Sequence, residues 1–167
     1  MYRETIEKTV LTVVLVAWWL FLPAVGYENG DTENIPAHLF YMLSHANIWH
    51  LAANLFFLWF FLRGRLYLIP SMLIGFLVSL LPGFSIYGEV GLTMGFSGVL
   101  FAIAGIKWGV YCRYASSMGK LFESTALHDF FLKAIPFALI GILIPHINWT
   151  IHLYAMLAGF VYGRCRR

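Results

Sequence analysis

The sequence predicts an all-α membrane protein whose single domain, residues 1–167, contains six transmembrane helices. Three observations support this fold class: the composition, six long apolar stretches, and the distribution of basic residues. The composition is 60% apolar, 18% aromatic and only 11% charged, whereas soluble domains carry about a quarter of their residues as charged side chains. Disordered chains hold few aromatic residues, so both of these classes are excluded. A span needs about 20 apolar residues, and six spans leave no room for a second, soluble domain.

Six stretches rich in Leu, Ile, Val, Phe and Trp are the candidate spans, and none shows the alternation of a barrel strand. The first stretch is long for a signal peptide, and its Trp18–Trp19 pair suits a retained helix. The last two stretches are divided at Pro145, where we expect a tight hairpin over residues 145–150. In chain order, spans 1 to 6 cover residues 9–27, 46–62, 66–87, 90–112, 130–145 and 147–163.

The basic residues all fall on one side of this six-span arrangement, whereas the opposite side carries acidic residues and no Lys or Arg. The positive-inside rule makes the basic side cytoplasmic. We therefore expect both termini to be cytoplasmic, with residues 114–129 forming a cytoplasmic loop and residues 27–37 an external one. The eleven basic residues are Arg3, Lys8, Arg63, Arg65, Lys107, Arg113, Lys120, Lys133, Arg164, Arg166 and Arg167.

Four polar side chains lie inside the predicted spans, where the cost of burying them in hydrocarbon marks them as functional candidates. His50 and Asn54 are one helical turn apart in span 2, and Ser97 is in span 4. His152 is near the start of span 6. Taken singly, each is more simply explained by hydrogen bonding or packing between helices. All four nevertheless lie toward the external ends of their spans, which favours one shared site.

Small residues at helical spacing follow both Ser97 and His152, so spans 4 and 6 can pack closely. Such packing brings Ser97 and His152 together at the external ends of two apposed helices. A serine needs a neighbouring base to act as a nucleophile, and neutral imidazole suits this role near pH 7. We therefore predict a catalytic Ser97–His152 dyad. The small residues are Gly98, Ala102, Gly105 and Gly109 in span 4, and Ala155, Gly159 and Gly163 in span 6.

The other polar groups complete a site suited to acyl transfer. His50, Asn54 and the Ser97 backbone N–H can donate hydrogen bonds to an oxyanion, and the helix dipole at Ser97 favours negative charge. No Asp or Glu lies inside the spans to orient His152. Phe101, one turn after Ser97, is instead expected to stack on the imidazole ring.

Three short motifs occur in a characteristic order along the chain. They are a His-x4-His-x3-Asn array at His45, His50 and Asn54, a Gly-x-Ser-Gly motif from Gly95 to Gly98 at the start of span 4, and His152 followed by Ala155 and Gly159. In these motifs, their spacing and the number of spans, the chain resembles the rhomboid family of intramembrane serine proteases over nearly its whole length. The fold that this resemblance implies is a minimal six-helix, rhomboid-like bundle.

The resemblance implies a serine endopeptidase in which Ser97 is the nucleophile and His152 the general base. It assigns the oxyanion hole to His50, Asn54 and the Ser97 backbone N–H. It gives His45 a structural role, and the remaining motif residues support the site. No metal, ATP or other cofactor is implied.

The implied substrate is itself a membrane protein, cleaved in or near its transmembrane helix after a small residue. A regular helix shields its peptide bonds, so helix-weakening residues near the cut favour cleavage. The lipid bilayer is the other expected partner, nucleic acid is not, and the lack of a transit segment favours a bacterial inner membrane.

The resemblance also raises the question of how a substrate reaches the site. The connection after span 1 is short and lacks the large membrane-embedded loop of better-known members, so the role of that loop in substrate access stays open. Residues 144–150 are expected to act as a cap. The residues expected to line a lateral gate on span 5 are Phe130, Phe131 and Phe137.

The main alternative is a rhomboid-like pseudoprotease that binds or escorts membrane proteins without cleaving them, although such members usually lack the serine or the histidine. A zinc site could draw on four histidines, but the chain has no HExxH motif and no carboxylate inside a span. A haem bundle, in which paired histidines on neighbouring helices bind iron, would leave the Gly-x-Ser-Gly motif and Asn54 unexplained. The four histidines are His45, His50, His146 and His152.

Overall fold

The computed structural model describes residues 2–84, 90–114 and 147–166, and these residues are mainly helical. The all-α prediction is therefore confirmed for this part of the chain. The described part does not include span 5 with its gate residues. It also lacks residues 115–129 of the expected loop and residues 144–146 of the expected cap. The described α-helices are α1 (Tyr2–Phe21), α2 (Ile35–Phe40), α3 (Ile48–Phe60), α4 (Leu68–Ser79), α5 (Ser97–Tyr114) and α6 (Trp149–Cys165), with a 3₁₀ turn at Tyr41–Leu43 after α2.

Spans 1, 2, 3, 4 and 6 correspond to α1, α3, α4, α5 and α6, but the helix boundaries differ from the predicted ones. α1 ends at Phe21, because Pro23 disfavours a helical conformation at the residue before it. α5 begins only at Ser97, after a turn in which Gly95 has a φ of +123°. Within the described ranges, no helix combines the length and the apolarity needed to cross a membrane. The number of crossings remains a prediction.

α5 packs side by side with α6, and every residue of α5 from 98 to 106 is buried. Glycines allow this close approach, since a methyl group on Gly105 would overlap the Met156 carbonyl group. A methyl group on Gly159 would likewise overlap the Ala102 carbonyl group. Gly105 faces Met156 and Phe160, further along α6 than His152. The two helices therefore run in the same direction, and their N-terminal ends lie together.

The connection between α1 and α3, residues 22–47, packs against the segment that precedes α5. Tyr27 and Thr93 form an antiparallel bridge, with N···O distances of 3.1 and 2.9 Å. The Gly95 N–H donates to the Tyr41 carbonyl at 2.9 Å, and the Tyr41 hydroxyl donates to the Gly75 carbonyl of α4 at 2.9 Å. The sequence predicted only a short connection here. In the structure, this connection holds the backbone just before Ser97 through its hydrogen bonds to Thr93 and Gly95.

Candidate active site

Ser97 and His152 meet at the N-terminal ends of α5 and α6. The Ser97 Oγ lies 2.8 Å from the His152 Nε2, which is a hydrogen-bonding distance. Ser97 is the first residue of α5, and His152 is in the first turn of α6, whose N-terminus is capped by the Asn148 side chain. The pair has the separation that proton transfer from a serine to an imidazole requires.

The His152 ring packs against an aromatic side chain. Phe101, one turn after Ser97, stacks on this ring with centroids 4.7 Å apart and an interplanar angle of 18°. Phe101 is only 3% exposed, and its own ring lies 5.5 Å from that of Phe57 in α3. Among the residues that the structure describes, no carboxylate hydrogen-bonds the His152 ring. The structure thus has Phe101 stacked on the imidazole, as the helical spacing predicted.

The His50 ring lies against the turn that presents Ser97. A methyl group on Gly95 would be 2.6 Å from the His50 Cε1 and 2.7 Å from its Nε2, so the ring occupies the space beside Gly95. Gly95 also has a positive φ, which glycine adopts without steric cost. The Asn47 side chain caps α3 by accepting the His50 N–H at 2.9 Å. The absence of a side chain at Gly95 therefore leaves room for the His50 ring beside the Ser97 turn.

Asn54 is buried one turn after His50, and its amide is bonded within α3. Its Nδ2 donates to the His50 carbonyl at 3.0 Å, and its Oδ1 has no hydrogen-bond partner among the described residues. A carboxamide has two N–H donors, so one of them is not used by this bond. The described hydrogen bonds of Asn54 are with His50 and do not include Ser97.

His45, Gly98 and Ala155 are the remaining supporting residues predicted from the sequence. The buried His45 ring packs edge-to-face on the His50 ring, with centroids 5.2 Å apart. Burial, together with the nearby His50, lowers the pKa of His45 to about 4, so this ring is neutral near pH 7. A methyl group on Gly98 would approach the Tyr41 hydroxyl to 3.3 Å, and Ala155 is fully buried in α6.

Three polar residues near the dyad were not identified from the sequence: Tyr41, Thr93 and Asn148. Asn148 caps α6 four residues before His152, and its Nδ2 donates to the Thr93 Oγ1 at 3.1 Å. An Asn just before an apolar helix is an N-cap signal, so the capping role of Asn148 was predictable. Tyr41 and Thr93 contact residues far away in the sequence, and no local pattern marks them.

The donors at this site are imidazole, hydroxyl and amide groups. In the described part of the chain, no group of three or more His, Cys, Asp or Glu side chains could hold a metal ion. His146, the fourth histidine considered for zinc, lies outside that part. The donors that are described fit hydrogen bonding and proton transfer.

A family model described as "Rhomboid domain" matches residues 32–167 of the chain. This match confirms the family predicted from the three motifs. No curated protein and no solved structure matches the chain significantly. The matched range begins within the connection between α1 and α3 and includes every residue of the candidate site.

Proposed function

Because the chain belongs to the rhomboid family and is therefore an integral membrane protein, we propose that it is an intramembrane serine endopeptidase. Ser97 and His152 form the catalytic dyad, which hydrolyses a peptide bond in or near the transmembrane segment of a membrane-protein substrate. Rhomboid proteins include both proteases and inactive relatives, so family membership leaves this choice open. The proposal rests on the 2.8 Å separation between the Ser97 Oγ and the His152 Nε2.

In the proposed reaction, the His152 Nε2 accepts the Ser97 hydroxyl proton while the Ser97 Oγ attacks the substrate carbonyl carbon. This step requires the neutral imidazole with its hydrogen on Nδ1. The resulting imidazolium donates its proton to the leaving amine nitrogen, the C–N bond breaks, and an acyl group remains on the Ser97 Oγ. A water molecule, deprotonated by His152, then attacks the acyl carbon, and the second tetrahedral intermediate breaks down to release the acid and return the proton to Ser97.

The oxyanion of each tetrahedral intermediate needs donors beside the Ser97 Oγ. The first N–H groups of a helix have no acceptor within the helix, so the Ser97 N–H at the start of α5 is available for this role. The His50 ring, packed on Gly95, supplies a second donor, and the unused N–H of Asn54 supplies a third. Removing one oxyanion donor typically costs about 10²–10³-fold in kcat.

The charges on α5 and α6 support a membrane orientation for this site. Both helices begin at the dyad, whereas Arg113 is at the far end of α5 and Arg164 is at the far end of α6. By the positive-inside rule, we place the basic ends and both termini in the cytoplasm. The dyad is then near the external face of a six-span protein in a bacterial inner membrane, and the substrate helix must unwind locally to reach it.

A pseudoprotease that binds or escorts membrane proteins is the second candidate function. Family membership leaves this alternative open, because the rhomboid family includes inactive relatives as well as proteases. Such a protein would retain substrate binding without hydrolysis. The two candidates therefore differ in whether bond cleavage depends on Ser97.

Cleavage of a transmembrane substrate in proteoliposomes tests the proposal. The protein is reconstituted with a fluorogenic substrate that has glycine residues in its membrane segment, and cleavage is compared between the native chain, Ser97→Ala and His152→Ala. We expect both variants to lose cleavage. Ser71→Ala is the matched control, because it removes the same hydroxyl from another buried serine, in α4. Substrate binding by the native chain without Ser97-dependent cleavage would instead support the pseudoprotease.

A further inference from the structure

A direct side-chain hydrogen bond joins the chain segments that carry the two proposed catalytic residues. The Asn148 Nδ2 donates to the Thr93 Oγ1 at 3.1 Å, and both side chains are buried. Thr93 is four residues before Ser97, and Asn148 is four residues before His152. The bond therefore connects the two segments at the same distance in sequence, four residues, before each member of the dyad.

The Asn148 carboxamide has a fixed orientation. Its Oδ1 accepts the Thr150 hydroxyl at 2.7 Å and the Ile151 N–H at 3.4 Å. A backbone N–H can only donate, so the oxygen must face the helix and the nitrogen must face Thr93. A methyl group on Gly83 would overlap the Asn148 carboxamide, which shows that the group is enclosed on that side as well.

Hydrogen bonds also hold the backbone of Thr93. Its backbone N–H and carbonyl both bond to Tyr27 in the antiparallel bridge, at 2.9 and 3.1 Å. Two residues later, the Gly95 N–H bonds to the Tyr41 carbonyl. The Thr93 side chain is thus anchored to the same backbone that leads into Ser97, and Asn148 is anchored to the first turn that carries His152.

The dyad lies between two contacts, one between α5 and α6 themselves and one between the segments that precede them. Beyond it, Gly105 packs against Met156, and Gly159 packs against Ala102, so the backbones are in contact. Before it, the Asn148–Thr93 bond closes the opposite end. We infer that Thr93 and Asn148 are positioning residues that keep the Ser97 Oγ within reach of the His152 Nε2. The inference rests on the proposed protease function.

A pair of variants of Thr93 tests this inference in the full chain reconstituted in proteoliposomes. Thr93→Val keeps the shape and the backbone bridge but removes the Oγ1 acceptor, whereas Thr93→Ser keeps the acceptor. Because a misplacement of about 1 Å can cost about 10²-fold, we expect Thr93→Val to lower kcat at least about tenfold. KM should stay near its native value, because no substrate contact is removed, and Thr93→Ser should restore kcat.

Thr12→Val is the matched control. The Thr12 Oγ1 accepts the Trp59 Nε1–H at 3.0 Å between α1 and α3, so the same change removes an exposed side-chain hydrogen bond between two other helices. We expect Thr12→Val to leave kcat unchanged, with all rates measured at a temperature where every variant is folded. A purely structural role for Thr93 predicts that Thr93→Val and Thr12→Val have equal kcat values, and this result would overturn the inference.

The double variant with Asn148→Ala gives an independent result. If the two side chains act through one bond, the double variant should have the same kcat as Asn148→Ala alone. If they act separately, the two reductions in kcat would multiply. Multiplying effects would overturn the inference while leaving the proposed protease intact. If the native chain itself shows no Ser97-dependent cleavage, the proposed function and the positioning role both fail. The two failures are thus distinguishable.

Discussion

Gly95→Ala should separate the catalytic role of the Ser97 turn from its contribution to folding. The added methyl group would be 2.6 Å from the His50 Cε1 and 2.7 Å from its Nε2, so the imidazole must move away from Gly95 and leave its native position. A side chain at the Gly95 φ of +123° also costs about 1–3 kcal/mol of stability. If His50 donates to the oxyanion, its displacement should lower kcat by about 10²-fold, the typical effect of losing one such donor.

Gly30→Ala is the matched control for backbone strain. Gly30 also has a positive φ, +82°, but a methyl group there meets nothing within 4 Å. Unfolding in detergent gives the stability of each variant, and turnover of the fluorogenic substrate in proteoliposomes gives kcat. We expect both variants to be destabilised but only Gly95→Ala to lose turnover. The double variant of His50→Ala with Gly95→Ala should have the same kcat as His50→Ala alone. Native kcat in Gly95→Ala would refute the assignment of His50 to the oxyanion hole.

Three further predictions concern the base, the helix pair and the orientation. Phe101→Ala removes a stacking contact worth about 0.5–1.5 kcal/mol, so kcat should fall roughly two- to tenfold while Phe101→Tyr stays near native; unchanged turnover in Phe101→Ala would show that the stack does not orient His152. Gly159→Ala overlaps the Ala102 carbonyl group and should destabilise the protein by about 1–3 kcal/mol, measured by thermal unfolding; native stability would contradict the close packing of α5 on α6. A membrane-impermeant maleimide should label the exposed native Cys165 only from the cytoplasmic side. In a cysteine-free background, Glu28→Cys should be labelled only from outside. The reverse pattern would invert the proposed orientation.

Local patterns in the sequence carried much of the information about the candidate site. Helical spacing determines which residues share a face, so the small residues that follow Ser97 and His152 predicted two closely packed helices. The structure has Gly159 against the Ala102 backbone and Phe101 stacked on His152. The family assignment followed from the same motifs and is confirmed.

Other features depend on contacts that no local pattern encodes. The bond between Thr93 and Asn148 joins residues 55 positions apart, which precede the neighbouring N-terminal ends of α5 and α6. Hydropathy alone extended span 4 to residue 90, whereas the helix begins at Ser97 because Gly95 adopts a positive φ. The role of the connection between α1 and α3 was missed for the same reason, since its bonds to Thr93 and Gly95 reach across the fold.

Covalent labelling of Ser97 tests the central claim most directly. The purified protein is incubated with a fluorophosphonate, and the mass of the intact protein and the position of the adduct are determined. The proposed dyad predicts one adduct on Ser97 in the native chain and in Ser71→Ala, none in Ser97→Ala, and strongly reduced labelling in His152→Ala. A native chain that stays unlabelled at Ser97, or equal labelling with and without His152, would contradict the assignment of Ser97 and His152 as a catalytic pair.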